Sequence, residues 1–335
     1  MSKFSKKLLP IILAISLLSA FFLPTKVFAQ DDTGVTMQAR AGSDGYCQEG
    51  AWIPIRVTLE NNGPEINGEV RANISGTGDS IYAALVTLPT VSRKEITLYI
   101  APEGYLRSFY LQLISDNKKL LEQQLTINCV LGSDMLFGIL AGNPSAFNVL
   151  NSLNPSTGRA VIAQLEAGDI PENSQGLEAL DVLLISDFDT GTLSQPQVDS
   201  ISNWVTGGGR LLVTGGVGWQ KTAAGIADLL PLKPSSTAEI ASLDALAKFS
   251  LGQAAPFGTT LAAVGVPDGD AQLLQDESGS TIAAWKRYGA GMVYYLAVDP
   301  AQEPLRSWDG MVDVYQQLLA ISVEVPGWAQ GFGDW

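Results

Sequence analysis

The stretch that decides the fold covers residues 180–216 and reads LDVLLISDFDTGTLSQPQVDSISNWVTGGGRLLVTGG. Its two apolar runs, LDVLLIS and GRLLVTGG, have the unbroken hydrophobic character of strands that are buried on both faces. The segment SQPQVDSISNWV between them has helical spacing, and Thr192 or Ser194 can cap its start. Buried strands that alternate with helices are typical of a mostly parallel, doubly wound sheet.

The same pattern extends over residues 133–323. Two further strands, DMLFGILAG and GRAVIAQL, precede the stretch, and GMVDVYQQLLAIS reads as a closing helix. The segment from residue 271 to residue 298 turns at DESGS and indicates antiparallel additions to the sheet. We therefore predict a doubly wound, mostly parallel α/β domain with antiparallel additions over residues 133–323.

Residues 31–131 follow a different pattern, with a period of two. In AWIPIRVTLENN, Ile53, Ile55, Val57 and Leu59 fall on one face, as in a half-buried strand. About seven such short runs, separated by turn signals, indicate an antiparallel immunoglobulin-like β-sandwich. The first domain is therefore predicted to be a β-sandwich, so that the chain is β and then α/β.

The chain has two cysteines, Cys47 and Cys129, and both lie in the first domain. Cys129 shares the inward face of the last strand, and an exported chain meets conditions in which disulfides persist. We expect the two cysteines to form a disulfide. Two separate buried thiols remain the alternative, because the geometry of a distant pair cannot be judged from sequence.

The N-terminus indicates export. Lys3, Lys6 and Lys7 precede an apolar segment from residue 8 to residue 23, and small residues stand at the cleavage position after Ala29. Residues 1–29 are thus predicted to be a signal peptide, with an uncut anchor as the alternative, and the protein to be extracytoplasmic. The Gly- and Trp-rich tail, residues 324–335, is expected to lead into a membrane anchor that follows this chain.

The charge of the chain excludes some partners. Loss of residues 1–29 removes four lysines and leaves 16 basic residues against 34 acidic ones, a net charge of about −18. Such a surface repels nucleic-acid phosphates and anionic lipid headgroups. We expect no nucleic-acid partner, and no membrane binding through basic patches.

Asp187 and Asp189 are the candidate catalytic residues. DFDTGTL resembles the DxDGT signature of haloacid-dehalogenase-like phosphatases, in which the first aspartate attacks phosphorus and the second transfers the proton. Thr190 is inserted before the Gly-Thr pair, and no later pair of acids follows to hold magnesium. The alternative function is thus a metal-dependent hydrolase that uses these two aspartates, while the simpler interpretation is a turn that leads into a capped helix.

The stretch 180–216 also resembles the core of class I glutamine-amidotransferase-like domains, which have a flavodoxin-like fold and in some membrane-associated bacterial proteins follow a sandwich. On the family's G-x-C-x-G-x-Q elbow, Gly218 and Gln220 match, while Gly216 stands in the place of the cysteine. The chain has no histidine and no cysteine in this domain. Since the chemistry needs a thiolate and a base, the resemblance implies a degenerate domain without catalysis, metal or cofactor.

Open parallel sheets bind ligands beyond the carboxyl ends of their strands. The predicted crevice contains Asn143, Asp187, Asp189, Thr190, Gly215, Gly216, Gly218, Trp219 and Asp299. With three aspartates and no fixed cation, it should disfavour anions, whereas its glycine-lined backbone suits a partner peptide. We expect a non-catalytic binding or assembly module at the bacterial cell envelope with a protein partner, and the resemblance implies an accessory part of a membrane transport system.

Overall fold

The computed structural model describes residues 34–74, 80–155, 158–240, 242–250 and 252–320. The predicted signal peptide (residues 1–29) and the tail (residues 324–335) lie outside the described residues. Strands make up 45% and helices 21% of the structure, so this part of the chain is mostly β. No described helix has the length and hydrophobicity that crossing a bilayer requires.

Residues up to Val130 form two antiparallel sheets and a short ribbon. The strands are β1 (Val35–Ala41), β2 (Tyr46–Gln48), β3 (Ile53–Asn61), β4 (Ile66–Ile74), β5 (Ser80–Leu88), β6 (Ser92–Ile100), β7 (Ser108–Ser115), β8 (Lys118–Thr126) and β9 (Asn128–Val130). One sheet has the order β1-β3-β6 and the other β5-β4-β7-β8. Both sheets turn one face to a shared core, in which Ile55 and Leu59 meet Val70 and Leu111. The period of two that the sequence shows in β3 therefore does reflect burial of one face.

The predicted disulfide between Cys47 and Cys129 is confirmed. It joins β2 to β9, which pair in parallel with these two cysteines in register. The bond spans 82 residues of sequence, and Cys47 is fully buried. A disulfide of this kind fits an oxidising compartment outside the cytoplasm.

The remaining residues form a mixed sheet, a separate hairpin and a few helices. The strands are β10 (Met135–Ala141), β11 (Ala160–Gln164), β12 (Val182–Ser186), β13 (Arg210–Thr214), β14 (Leu232–Ile240), β15 (Thr260–Pro267), β16 (Gln272–Gln275), β17 (Thr281–Tyr288) and β18 (Gly291–Leu296). The α-helices are α1 (Gln195–Thr206), α2 (Trp219–Ala223), α3 (Asp244–Phe249) and α4 (Gly310–Leu318). The sheet order is β11-β10-β12-β13-β18-β17-β16. The first five strands are parallel, β17 pairs with β18 in antiparallel orientation, and β16 pairs with β17 in antiparallel orientation.

The predicted fold class, an immunoglobulin-like sandwich followed by a doubly wound flavodoxin-like domain, is wrong. The helix content is too low for a doubly wound domain, since among the described crossings between parallel strands only α1 is a long α-helix. Between β10 and β11 the chain forms the 3-10 helix Pro144–Ser152, and between β11 and β12 only the 3-10 turns Ala167–Asp169 and Ser174–Leu177. These connections are rich in Asn, Ser, Gly and Pro, which disfavour the interior of an α-helix.

An ion pair joins the strand β3 to the turn that follows β11, and so connects the first group of strands to the rest of the described chain. Arg56 of β3 donates a hydrogen bond to Oδ1 of Asp169, which lies in the first turn after β11. The side chain of Asp169 is only 6% exposed, and that of Arg56 is 25% exposed. The guanidinium lies against Gly168, where a Cβ would come within 2.1 Å of Nη1. A cavity of about 620 Å³ surrounds this junction.

We expect the disulfide to contribute about 2–4 kcal/mol to the free energy of unfolding, because it restricts a long loop of the unfolded chain. Replacing both Cys47 and Cys129 by Ala should lower the urea midpoint accordingly. Reductant should lower the wild-type midpoint by the same amount and leave the double variant unchanged. Equal midpoints for the wild type and the double variant would contradict this expectation.

Arg56→Ala should lower the free energy of unfolding by about 2 kcal/mol or more, because it leaves the Asp169 carboxylate buried without its counter-charge. The matched control is Arg93→Ala, since Arg93 is exposed and pairs with Glu95 at 3.1 Å and with Glu60 at 3.5 Å. That change should cost under about 1 kcal/mol. Urea unfolding of both variants measures the difference. Equal losses in the free energy of unfolding would show that the Arg56–Asp169 pair stabilises the protein no more than an exposed pair does.

Candidate functional site

A crevice opens where β12, β13 and β18 end. It has a volume of about 690 Å³. Four of the residues predicted from sequence line it, and they are Asp187, Gly216, Gly218 and Asp299. The other lining residues are Val217, Lys221, Glu239, Thr259, Thr260, Leu261, Gln302 and Glu303.

Asp187 follows the last residue of β12 and is held by close backbone contacts. Its φ is +47°, a left-handed conformation that aspartate tolerates better than most residues. A Cβ on Gly142 would come within 3.1 Å of Oδ2, and a Cβ on Gly218 within 2.2 Å of Oδ1. Glycine is therefore needed at both positions for the carboxylate to lie where it does.

Lys221 is the main residue that the sequence reasoning missed. Its Nζ lies 2.9 Å from Oδ1 of Asp187, and each side chain is about half exposed. The expectation that the crevice has no fixed cation is therefore wrong. The sequence did contain a signal for this residue. Lys221 stands only two positions after Trp219, a predicted crevice residue, and both lie in the short helix α2.

Asp299 lies on the opposite wall and is almost fully buried. Its Oδ1 accepts a hydrogen bond of 2.9 Å from the backbone N–H of Ala301. Burial raises the pKa of Asp299 above its usual value, and the nearby charge of Asp187 adds to the rise, while the hydrogen bonds from Ala301 and Gln302 oppose it. Gly216, with φ +73°, packs against this aspartate, since a Cβ there would lie 2.7 Å from that of Asp299.

Two buried tyrosines lie behind this wall. The hydroxyls of Tyr295 and Tyr315 have no hydrogen-bond partner among the described residues. Burial raises the pKa of both phenols, and the charge of Asp299 adds to the rise at Tyr315. Both phenols are therefore neutral, and they place a weakly polar layer behind Asp299.

Asp189 and Thr190 are occupied by local structure. The Asp189 carboxylate accepts a 3.0 Å hydrogen bond from the N–H of Gly191 and so caps a 3-10 turn. The buried Thr190 hydroxyl donates to the carbonyl of Thr222 at 3.0 Å and accepts from the N–H of Gly225 at 2.8 Å. Neither residue lines the crevice. The predicted cap of α1 is confirmed at Ser194, which forms a capping box with Gln197.

The other predicted residues lie beside the crevice. Asn143 is exposed and accepts a 2.9 Å hydrogen bond from Ser145 at the start of the 3-10 helix. Gly215 is buried under the Tyr295 hydroxyl, because a Cβ placed on Gly215 would lie 2.7 Å from that oxygen. The Trp219 indole donates to the Thr237 hydroxyl at 3.2 Å and packs against the core.

The hairpin β14–β15 completes the crevice and was not expected from the sequence. It contributes Glu239, Thr260 and Leu261 from the ends of its two strands. Glu303 adds a further carboxylate, so that the described lining residues include four acidic groups and one basic group, that of Lys221. Among the described residues, no three His, Cys, Asp or Glu side chains are arranged to hold a metal ion. This arrangement favours a ligand with a cationic group over an anionic one.

Two family models match parts of the chain. Residues 34–128 match a domain of unknown function (DUF8726), and residues 162–306 match another domain of unknown function (DUF7408). No curated protein matches the sequence.

Several solved structures are similar to the chain at a low level. The cytoplasmic protein STM1381 from Salmonella typhimurium LT2 is 15% identical, with a TM-score of 0.43, over 56% of this chain and 100% of that one. The cytoplasmic protein STM3548 from Salmonella typhimurium is 15% identical, also with a TM-score of 0.43, over 64% of this chain and 95% of that one. The exo-beta-1,4-mannosidase Op5Man5 from Opitutaceae bacterium strain TAV5 is 15% identical, with a TM-score of 0.37, over 56% of this chain and 36% of that one.

The resemblance to class I glutamine-amidotransferase-like domains is wrong. The family models that match describe two domains of unknown function, and the mostly β structure lacks the helices of a flavodoxin-like fold. The glycines that suggested an elbow are explained by packing, because Gly216 and Gly218 lie directly against the two aspartates of the crevice.

Asp299→Asn should raise stability at neutral pH. Because the pKa of Asp299 is higher in the folded protein than the usual 3.8 of an aspartate, the ionised carboxylate of Asp299 disfavours folding at neutral pH. Asparagine keeps an acceptor for the Ala301 N–H. The gain in the free energy of unfolding should therefore shrink as the pH falls and vanish well below 3.8, where the aspartic acid is protonated in both states.

Urea unfolding at neutral pH and at about pH 3 measures this effect. Asp276→Asn is the control of opposite sign, because hydrogen bonds from Ser278 and from backbone N–H groups lower the pKa of the exposed Asp276. That change should reduce stability at neutral pH, and the loss should shrink only as the pH falls below 3.8 through the lowered pKa of Asp276. If Asp299→Asn instead lowers the free energy of unfolding at neutral pH, burial of the ionised Asp299 carboxylate does not destabilise the fold.

Proposed function

We propose that the chain is a non-catalytic, extracytoplasmic binding or assembly module at the bacterial cell envelope, and that the crevice at the strand ends receives a protein partner. The observation that carries the proposal is the composition of this crevice. Carboxylates of Asp187, Glu239 and Asp299 line the crevice together with two exposed apolar side chains, Val217 and Leu261. A crevice with both acidic and exposed apolar side chains suits a basic side chain on an apolar segment of a partner.

The chemistry available to the chain supports binding over catalysis. The chain has no histidine, and its two cysteines are joined in the disulfide. The two aspartates of the hydrolase alternative have separate structural roles, because Asp187 pairs with Lys221 and Asp189 caps a turn. Among the described lining residues, no hydroxyl is hydrogen-bonded to a base, the contact that activates a serine or threonine nucleophile.

The proposal includes an envelope location and attachment to the membrane. The disulfide supports an oxidising compartment. Membrane attachment, and a role as an accessory part of a transport system, are further parts of the proposal. Fractionation of cells that produce the protein separates a membrane-bound form from a released one.

A photoreactive amino acid in place of Val217 should crosslink the partner in intact cells. The matched control is the same replacement at Val266, since the two side chains are 70% and 72% exposed and Val266 lies at the end of β15 that is remote from the crevice. Adding Glu239→Lys should reduce the crosslink at position 217 at least about tenfold, because a basic group would then meet a cation. An unchanged crosslink with Glu239→Lys, or equal crosslinks at both positions, would argue against the crevice as the binding site.

Titration calorimetry with Mg²⁺ and Ca²⁺ separates this proposal from the hydrolase alternative. A binding module of the proposed kind should show no metal uptake that depends on Asp187, and no phosphate-ester turnover. Binding and turnover that both disappear with Asp187→Asn would instead establish the hydrolase.

A further inference from the structure

The strand β5 lies at an edge of its sheet. Among the described strands it hydrogen-bonds only to β4, in register from Ser80↔Ile74 to Leu88↔Ile66, so its outer row of backbone groups has no strand beside it. It is nine residues long and has no register shift. An edge of this length and regularity is a template for pairing with another strand.

The side chains of β5 do not protect this edge. The strand SIYAALVTL contains no charged residue and no proline, in a protein with 34 acidic and 20 basic residues. On its outer face, Ile81 is 63% exposed and Leu85 is 87% exposed, with Ala83 exposed between them. These are the features that soluble proteins usually avoid at a free edge.

Most of the other long sheet edges that the structure describes carry protective devices, while the uncharged edge strand β11 has only five residues. β6 has Arg93, Lys94 and Glu95, and β8 has Lys118 and Lys119. The strand β14 contains Pro234 and a bulge, and β16 has only four residues with a register shift. Among the described edge strands, β5 is therefore the longest one without a charge, a proline or a register shift.

We propose that β5 is a dimerisation edge, where a second copy of this chain adds its own β5 in antiparallel orientation. A two-fold axis requires a patch that complements itself. The register that overlaps all nine residues is centred on Ala84, so that Ala83 faces Leu85 of the second copy and Ile81 faces Thr87. Each contact then joins a small or medium side chain to a larger one, and no like charges meet.

The surface beside β5 supports this register. A cavity of about 500 Å³ lies next to Leu85 and Thr87; Ile114 lines it further, as do the charged residues Glu69, Lys94 and Asp116. In the centred register, Ile81 of the second copy faces Thr87 and so lies at the mouth of this cavity. The pairing buries the most exposed apolar side chains of the sheet and hydrogen-bonds its outer backbone groups, two gains that a free monomer lacks.

Sedimentation equilibrium of the purified protein from about 1 µM to about 500 µM tests the proposal. We expect a reversible dimer. Leu85→Lys should raise its dissociation constant at least about tenfold, because the two lysines would be diagonal neighbours across the axis. The matched control is Val266→Lys, which places the same charge at an exposed apolar position on β15 and should leave the dimer intact.

Circular dichroism and urea unfolding confirm that Leu85→Lys still folds, as expected for a side chain so exposed. A monomer at every concentration, a dimer that Leu85→Lys leaves unchanged, or a monomer that binds extended foreign peptides along β5 would each overturn the proposal. The crevice is not part of this edge, so the result does not depend on the proposed function.

Discussion

The burial of β12 between β10 and β13 is the constraint on which the candidate site depends. All five residues of this strand are buried, so it must be covered on both faces and paired on both edges. The parallel register then brings the carboxyl ends of three strands together, and the Thr214 hydroxyl donates to that of Ser186 at 2.7 Å just below the crevice. Asp187 is the first residue beyond this buried layer, and its position follows directly from the sheet.

Features that depend on neighbours in sequence could be predicted, whereas those that depend on distant pairing could not. The strand β12, the cap at Ser194 and the alternation in β3 are set by local side-chain chemistry. The hairpin β14–β15 was missed, because its polar strand LKPSSTAEI is stabilised mainly by its pairing with β15. Without that hairpin, Glu239 could not be placed beside Asp187, which lies 52 positions earlier in the sequence.

The glycine pattern misled the family assignment for a physical reason. Gly209 packs on the indole of Trp204, where a Cβ would come within 2.4 Å of the ring, and Gly215 packs on the carbonyl of Ala297 at the same distance. Both glycines allow a helix or a strand to approach its neighbour closely. A run such as WVTGGGRLLVTGG therefore reports tight packing around a strand, which many unrelated sheets share, and carries little information on ancestry or chemistry.

The geometry of Asp187 and Asp189 also limits the chemistry that the crevice can perform. The left-handed turn at Asp187 directs the chain so that its carboxylate faces Lys221, while Asp189 faces the backbone of its own turn. A half-exposed pair such as Asp187–Lys221 contributes about 0–1 kcal/mol. An incoming ammonium or guanidinium can therefore take the place of Lys221 at little cost, and the displaced lysine remains near the other carboxylates. Under the proposed function, the crevice would therefore exchange its own cation for that of a partner.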